Sequence, residues 1–265
     1  MIDLWKFGAG LGLFITAMNM LETSLRQLGT KTLRNFLERL TNSTWKSFLG
    51  GIVATTVLQS SSIVTLMVLA FVGSGLIPMQ NALGIIFGSN IGTTFTGWMV
   101  TLLGFKVDIE TLALPLLALA GLIHIFSYGT KRLTQVSLIF AALGLLFIGL
   151  DFMKDSMAAV ANSSQSLVLA QYPSFYYFIF GFIVTAIIQS SSAMMVVVLT
   201  ALNAQALSLF DAAAIVLGAD LGTTITTVLG AVGGSSARKQ IALAHVLFNV
   251  VTDSIAYLTL PLLMG

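Results

Sequence analysis

Apolar and polar residues fall along this chain in long blocks rather than in alternation. Six apolar runs reach or approach the ~20 residues a helix needs to cross a bilayer: 8–25, 82–103, 112–127, 136–153, 211–231 and 241–262. Two further stretches, 47–73 and 175–202, are apolar at both ends and polar in the middle. None shows the period of two that a barrel strand requires. The pattern predicts an all-α integral membrane protein. The link 26–46 carries Arg26, Lys31, Arg34, Arg39 and Lys46 among Leu28, Leu33, Phe36, Leu37 and Leu40. That mixture suits an amphipathic helix at the membrane surface. The corresponding stretch 155–174 is polar and nearly uncharged.

Composition supports the same class. Of 265 residues, 57% are hydrophobic and 8% charged, against about 25% charged in a soluble domain. So few charges cannot coat a water-soluble protein of this length. A soluble enzyme, a nucleic-acid-binding protein and a disordered chain are thereby excluded. The 12 basic residues fall in the polar links and read as topology signals. They do not choose a topology. If 47–73 and 175–202 are re-entrant hairpins, nine basic residues lie inside and three outside; if both segments cross fully, the count is again nine to three. The absence of cysteine removes disulfides and thiolate metal sites, and His124 and His245 make no transition-metal cluster.

The chain is also written twice. Setting residue n against n+130 aligns Gln59-Ser60-Ser61-Ser62 with Gln189-Ser190-Ser191-Ser192. In the same register, Gly88-Ser-Asn90-Ile-Gly92-Thr93-Thr94 meets Gly218-Ala-Asp220-Leu-Gly222-Thr223-Thr224. Residues 48–96 share 16 identities with 178–226 over 49 positions. A bias toward Leu and Val explains matched Leu and Val, but not repeated polar words in one register. Duplicated halves are typical of secondary transporters, which bind substrate near the midplane between the repeats.

Each polar word has a physical reading. Four consecutive polar residues cover every face of a helix, and backbone at membrane depth must be satisfied by protein or water. A helix break at Gln-Ser resolves this, with Ser capping the helix that follows. The new helix start offers free N–H groups and a partial positive charge to an anion. The Gln side chains add a carbonyl for a cation and an amide donor. The alternative is that these Ser residues bond back to their own helix or pack small against a neighbour. At the second pair of words, Gly88, Gly92, Gly218 and Gly222 permit unwinding, though the same spacing fits close helix packing. Oxygen-bearing Asn90, Thr93, Thr94, Asp220, Thr223 and Thr224 beside such a break suit a hard cation. Asp220 stands out, because an intramembrane carboxylate is costly.

Glu22 and Asp151 lie near helix ends. His245, Asn249 and Asp253 share one helix face by their i, i+4, i+8 spacing and read as a polar seam or a supporting network. No Lys or Arg lies in a predicted membrane core. An anion bound there needs co-bound cations, which points to symport.

Two Gln-Ser-Ser-Ser words in duplicated membrane halves, each followed by Gly-x-Asn/Asp-x-Gly-Thr-Thr, resemble the sodium–phosphate cotransporter family (type II, bacterial members included). The resemblance covers residues 8–260. It implies inverted repeats, 1–130 and 131–265, each with a re-entrant helical hairpin whose tip carries the word (about 47–73 and about 175–202). It also implies a broken transmembrane helix in each (about 82–103 and about 211–231), a linking span about 112–127 and a last span about 241–262. The implied activity is Na+-coupled symport of inorganic phosphate across the inner or plasma membrane, with Na+ as coupling ion and no other cofactor. By this resemblance Gln59, Ser60, Ser61, Ser62, Gln189, Ser190, Ser191 and Ser192 bind phosphate. Na+ falls to Gln59, Gln189, Asn90, Thr93, Thr94, Asp220, Thr223 and Thr224. The second half departs from the first in carrying Ala219-Asp220 where the first has Ser89-Asn90, so the halves need not bind cations alike.

The expectation is therefore a multi-pass transporter with six spans and two hairpins, working by alternating access. Its partners are phosphate, Na+ and the lipid bilayer, with a homodimer as an allowed assembly and no nucleic acid. Its rivals are a carrier of sulfate or a carboxylate, a phosphate exporter, and, in another class, a channel or a membrane subunit of a complex.

Overall fold

A computed structural model describes residues 2–40, 43–105, 109–127, 130–161 and 172–264, and every element within them is helical. The first is one unbroken helix, α1 (Ile2–Leu40). The separate surface helix expected from residue 26 is instead the continuation of the first span. Gly29 is the only Gly or Pro between residues 13 and 40, and a lone glycine costs a helix only about 1 kcal/mol. The 39 residues of α1 extend about 58 Å at 1.5 Å each, well past the ~30 Å hydrocarbon core.

The next elements are α2 (Thr44–Leu58), α3 (Ser61–Gly73) and α4 (Met79–Met99), which runs on into a π turn (Val100–Gly104). After α5 (Ile109–Phe126) and α6 (Lys131–Ala161) come α7 (Ser174–Ile188), α8 (Ser191–Asn203), α9 (Leu209–Ala231) and α10 (Ser236–Met264). The duplication is visible in the lengths: α2 and α3 have 15 and 13 residues, and so do α7 and α8. Of the polar stretch 155–174, the part up to Ala161 closes α6, and 162–171 lie outside the described residues.

Among the described residues, four segments are long and apolar enough to cross a membrane: Leu4–Gly29, Lys131–Ala159, Leu209–Ala231 and Ser236–Leu262. Two of the six expected spans fall short on that measure. α4 is diluted by Ser89, Asn90, Thr93, Thr94 and Thr96, and the apolar part of α5 is the shorter Thr111–Phe126. The arms α2, α3, α7 and α8 are only about 20–22 Å long at 1.5 Å per residue, too short to cross singly.

The chain forms two compact units, residues 1–30, 97–171 and 196–208, and residues 31–96, 172–195 and 209–265. Each sequence half contributes to both. In the first, α5 packs on α6, and the Ser137 hydroxyl donates to the Ala120 carbonyl at 2.9 Å. Gly10 and Gly149 bring α1 and α6 together, with a Lys6–Asp155 ion pair at 2.7 Å. The second unit contains all four polar words.

Within that second unit the glycines have a different task from the one the sequence suggested. α4 and α9 are continuous through Gly88, Gly92, Gly218 and Gly222, so the expected helix breaks are absent. The glycines are contact points. A Cβ on Gly88 would strike the Phe48 carbonyl, and one on Gly218 the Phe178 carbonyl. Gly92 and Gly222 sit less tightly on Ile52 and Phe182, though still closer than a Cβ allows (Cβ positions 2.7 and 2.8 Å from the carbonyl oxygens). Small residues spaced by four let two helices touch backbone to backbone, which leaves the hydrogen-bond ladder of each intact. Gly218→Ala is expected to cost about 1–3 kcal/mol through overpacking, whereas Gly8→Ala, with nothing within 4 Å, should be neutral. Thermal unfolding in detergent compares them; equal midpoints would refute the packing role.

Candidate functional site

Both Gln-Ser words interrupt their helices in the same way. After α2, Gln59 turns to φ 56, ψ 22; after α7, Gln189 turns to φ 61, ψ 25. This left-handed conformation costs a residue with a Cβ about 1–2 kcal/mol, so something must hold it. The Gln59 amide donates to the Thr56 carbonyl at 2.6 Å, and its Oε1 accepts from the Thr96 hydroxyl at 2.9 Å. Gln189 donates to the Ala186 carbonyl at 2.9 Å and accepts from Thr226 at 2.7 Å. Each Gln thus closes the last turn of its own helix and clasps a threonine on the helix facing it.

Ser60 and Ser190 then start the next helices. Ser60 is extended, and its Oγ accepts from the Ile63 N–H at 3.4 Å; Ser190 Oγ accepts from the Ala193 N–H at 3.2 Å. The capping predicted for these residues is present. The first N–H groups of α3 and α8 lack intrahelical partners, and the hydroxyls of Ser61, Ser62 and Ser191 have no hydrogen-bond partner among the described residues. The two words also approach each other. Ser192 Oγ lies 3.5 Å from Thr96 Oγ1, the hydroxyl that serves Gln59. Gln59, Thr96 and Ser192 are all buried.

Beside them is a cavity of about 460 Å³. Asn90, Thr93 and Thr94 reach it from α4, Ser191 from α8, Asp220 from α9, and Thr252 and Asp253 from α10. Its apolar wall includes Phe87 and Phe248, stacked with centroids 4.1 Å apart. Asn90 donates to Asn249 Oδ1 at 2.8 Å, and Asn249 donates to the Asp220 carbonyl at 3.1 Å. The two counterpart residues of the repeats are thereby tied through α10, and Asn90 Oδ1 accepts no hydrogen bond from the described residues.

Asn90, Thr93, Thr94 and Asp220 therefore meet as the sequence suggested, with Ser191 beside them. Thr223 and Thr224 do not line the cavity; their hydroxyls bond back to the Asp220 and Leu221 carbonyls at 2.6 and 2.7 Å. Gln59 and Gln189 are engaged by Thr96 and Thr226 instead. Those threonines were passed over by the motif reading, whereas Asn249 was placed with His245 and Asp253 on one polar face. A signal was present, since Thr96 and Thr226 are one of the 16 identities between the halves.

Residues 13–155 and 153–260 each match the model of the Na+/Pi-cotransporter family. The chain belongs to the Na+/Pi-cotransporter family. That its model fits once per half is what a duplicated member requires. The chain is 33% identical over 254 residues to YqeW of Bacillus subtilis, covering 95% of this chain and 80% of that one. It is 26% identical to YjbB of Escherichia coli K12, provisionally named for inorganic phosphate export, over 95% of this chain and 46% of YjbB. It thus spans about half the length of YjbB. The sodium-dependent phosphate transport protein 2A of mouse is 32% identical over 97 residues, 36% of this chain and 15% of that protein. No solved structure matches the chain. The Na+/Pi-cotransporter family is one of transporters, not enzymes, and this member, with its long apolar helices, is a multi-pass plasma-membrane protein.

Proposed function

We propose that the protein moves inorganic phosphate across the membrane coupled to Na+, by alternating access between two inverted repeats. The observation that carries this reading is the paired helix break, in which two Gln–Ser junctions of the same backbone form meet through Thr96. Ser61, Ser62, Ser191 and Ser192, with the free N–H groups of α3 and α8, give phosphate a cage of neutral donors. Helix starts favour an anion, but a dianion at membrane depth needs more countercharge than two of them offer. Na+ supplies it, held by Asn90 Oδ1, the Asp220 carboxylate and the lone pairs of Thr93 and Thr94. Family membership supports phosphate as the cargo and Na+ as the coupling ion.

Direction has a second reading, export, favoured by the name given to YjbB. Proteoliposomes separate the readings. An inward Na+ gradient should drive phosphate accumulation that excess sulfate does not suppress. Na+-independent phosphate flux would sink the symport reading, and flux only from Na+- and phosphate-loaded vesicles would assign export.

A further inference from the structure

One charged group on the cavity wall has no part in that scheme. Asp253, on α10, is 4% exposed, lines the cavity, and carries an Oδ2 without a hydrogen-bond partner among the described residues. It falls in no repeated word; the residue 130 positions earlier is Ile123. Among the described residues, no Lys, Arg or His lines the cavity. On the same helix, Arg238 lies four turns away with its Nε given to the Leu69 carbonyl at 3.1 Å. His245, two turns away, has its Nδ1 on Thr227 at 2.8 Å. The other charged group on the cavity wall is Asp220 on α9, also a carboxylate.

Such a group is costly at membrane depth. That cost is lifted by a proton or by a bound cation, and the neighbouring oxygens suit a small hard cation. Thr252 gives its proton to the Phe248 and Asn249 carbonyls at 2.8 and 3.3 Å, which leaves its lone pairs open. Asn90 Oδ1 and the Asp220 carboxylate line the same space. We propose that Asp253 is a Na+ ligand of this cavity, acting with Asp220. This rests on the reading of the cavity as the Na+ side of a cotransporter. Both carboxylates come from the second half of the chain, and Asn90 adds an oxygen from the first.

The test uses the full chain in detergent without phosphate, so its outcome is independent of whether phosphate is the cargo. Wild type is expected to melt higher in NaCl than in choline chloride of equal strength, because a ligand stabilises the state that binds it. Asp253→Asn should lose most of that shift and raise the half-saturating Na+ at least about tenfold. In choline it should melt no lower than wild type, since an unpaired charge has been removed. A purely structural role predicts equal destabilisation in both salts, and that result overturns the proposal, as does a wild type indifferent to Na+. Asp253→Glu is the second variant. It should keep a Na+ shift but change the preference for Na+ over Li+, and an unchanged preference counts against ligation. If Asp253→Asn alters Na+ binding while proteoliposomes carry no phosphate, only the cargo assignment fails.

Discussion

Gln59→Ala and Gln189→Ala are each expected to cut Na+-driven phosphate flux by roughly tenfold to a hundredfold. The change removes two hydrogen bonds per site and leaves a carbonyl and a threonine hydroxyl without partners, at about 1–3 kcal/mol. Every 1.4 kcal/mol corresponds to a factor of ten. Alanine also keeps the Cβ that disfavours a φ near 60° while losing the bonds that hold it there. Glycine separates the two effects. Gln189→Gly frees the backbone, so it should fold as well as wild type and still transport poorly. Thr96→Val should be more harmful than Thr226→Val, because Thr96 touches both Gln59 and Ser192. Flux within twofold of wild type in both alanine variants would remove the glutamines from the mechanism.

The second large effect is all-or-none. The sequence contains no cysteine, so single cysteines report sidedness without background. Ser74 follows α3 and Gln205 follows α8, and both are exposed in turns. If the halves are inverted, with re-entrant hairpins, Ser74→Cys in intact cells is protected from an impermeant outside reagent and Gln205→Cys is fully labelled. Labelling of both from outside means that both segments cross, the halves are parallel, and the inverted-repeat reading is wrong.

The site was legible where polarity broke a rule. A polar word inside an apolar 27-residue stretch has to interrupt its helix, and the breaks at Gln59 and Gln189 stand where that reasoning put them. The shared face of His245, Asn249 and Asp253 follows from helical spacing alone, and all three are buried. The glycines misled because one residue serves two ends. Gly88-x-x-x-Gly92 is compatible with an unwound helix and with a close crossing, and only the neighbouring chain decides which. Phe48 and Ile52 supply that answer, about 40 residues away in sequence. Thr96 and Thr226 were hidden for a similar reason, since a threonine in an apolar helix shows its role only once a glutamine is seen to reach it. In α1 the basic residues marked a change of surroundings, which the periodicity suggested was also a change of element. Helix continuity depends on the backbone, and nothing from residue 13 to 40 but Gly29 weakens it.

The glycine contacts also constrain movement. Helices that slide past one another do so on a layer of side chains that can change rotamer. α2 on α4 and α7 on α9 have no such layer at Gly88 and Gly218, where carbonyl meets bare Cα. A step along either crossing would drive a neighbouring side chain into backbone. Each arm is therefore keyed to its partner and travels with it as one lever. On the proposed alternating-access cycle, movement is then expected where each lever is jointed, at the left-handed glutamines.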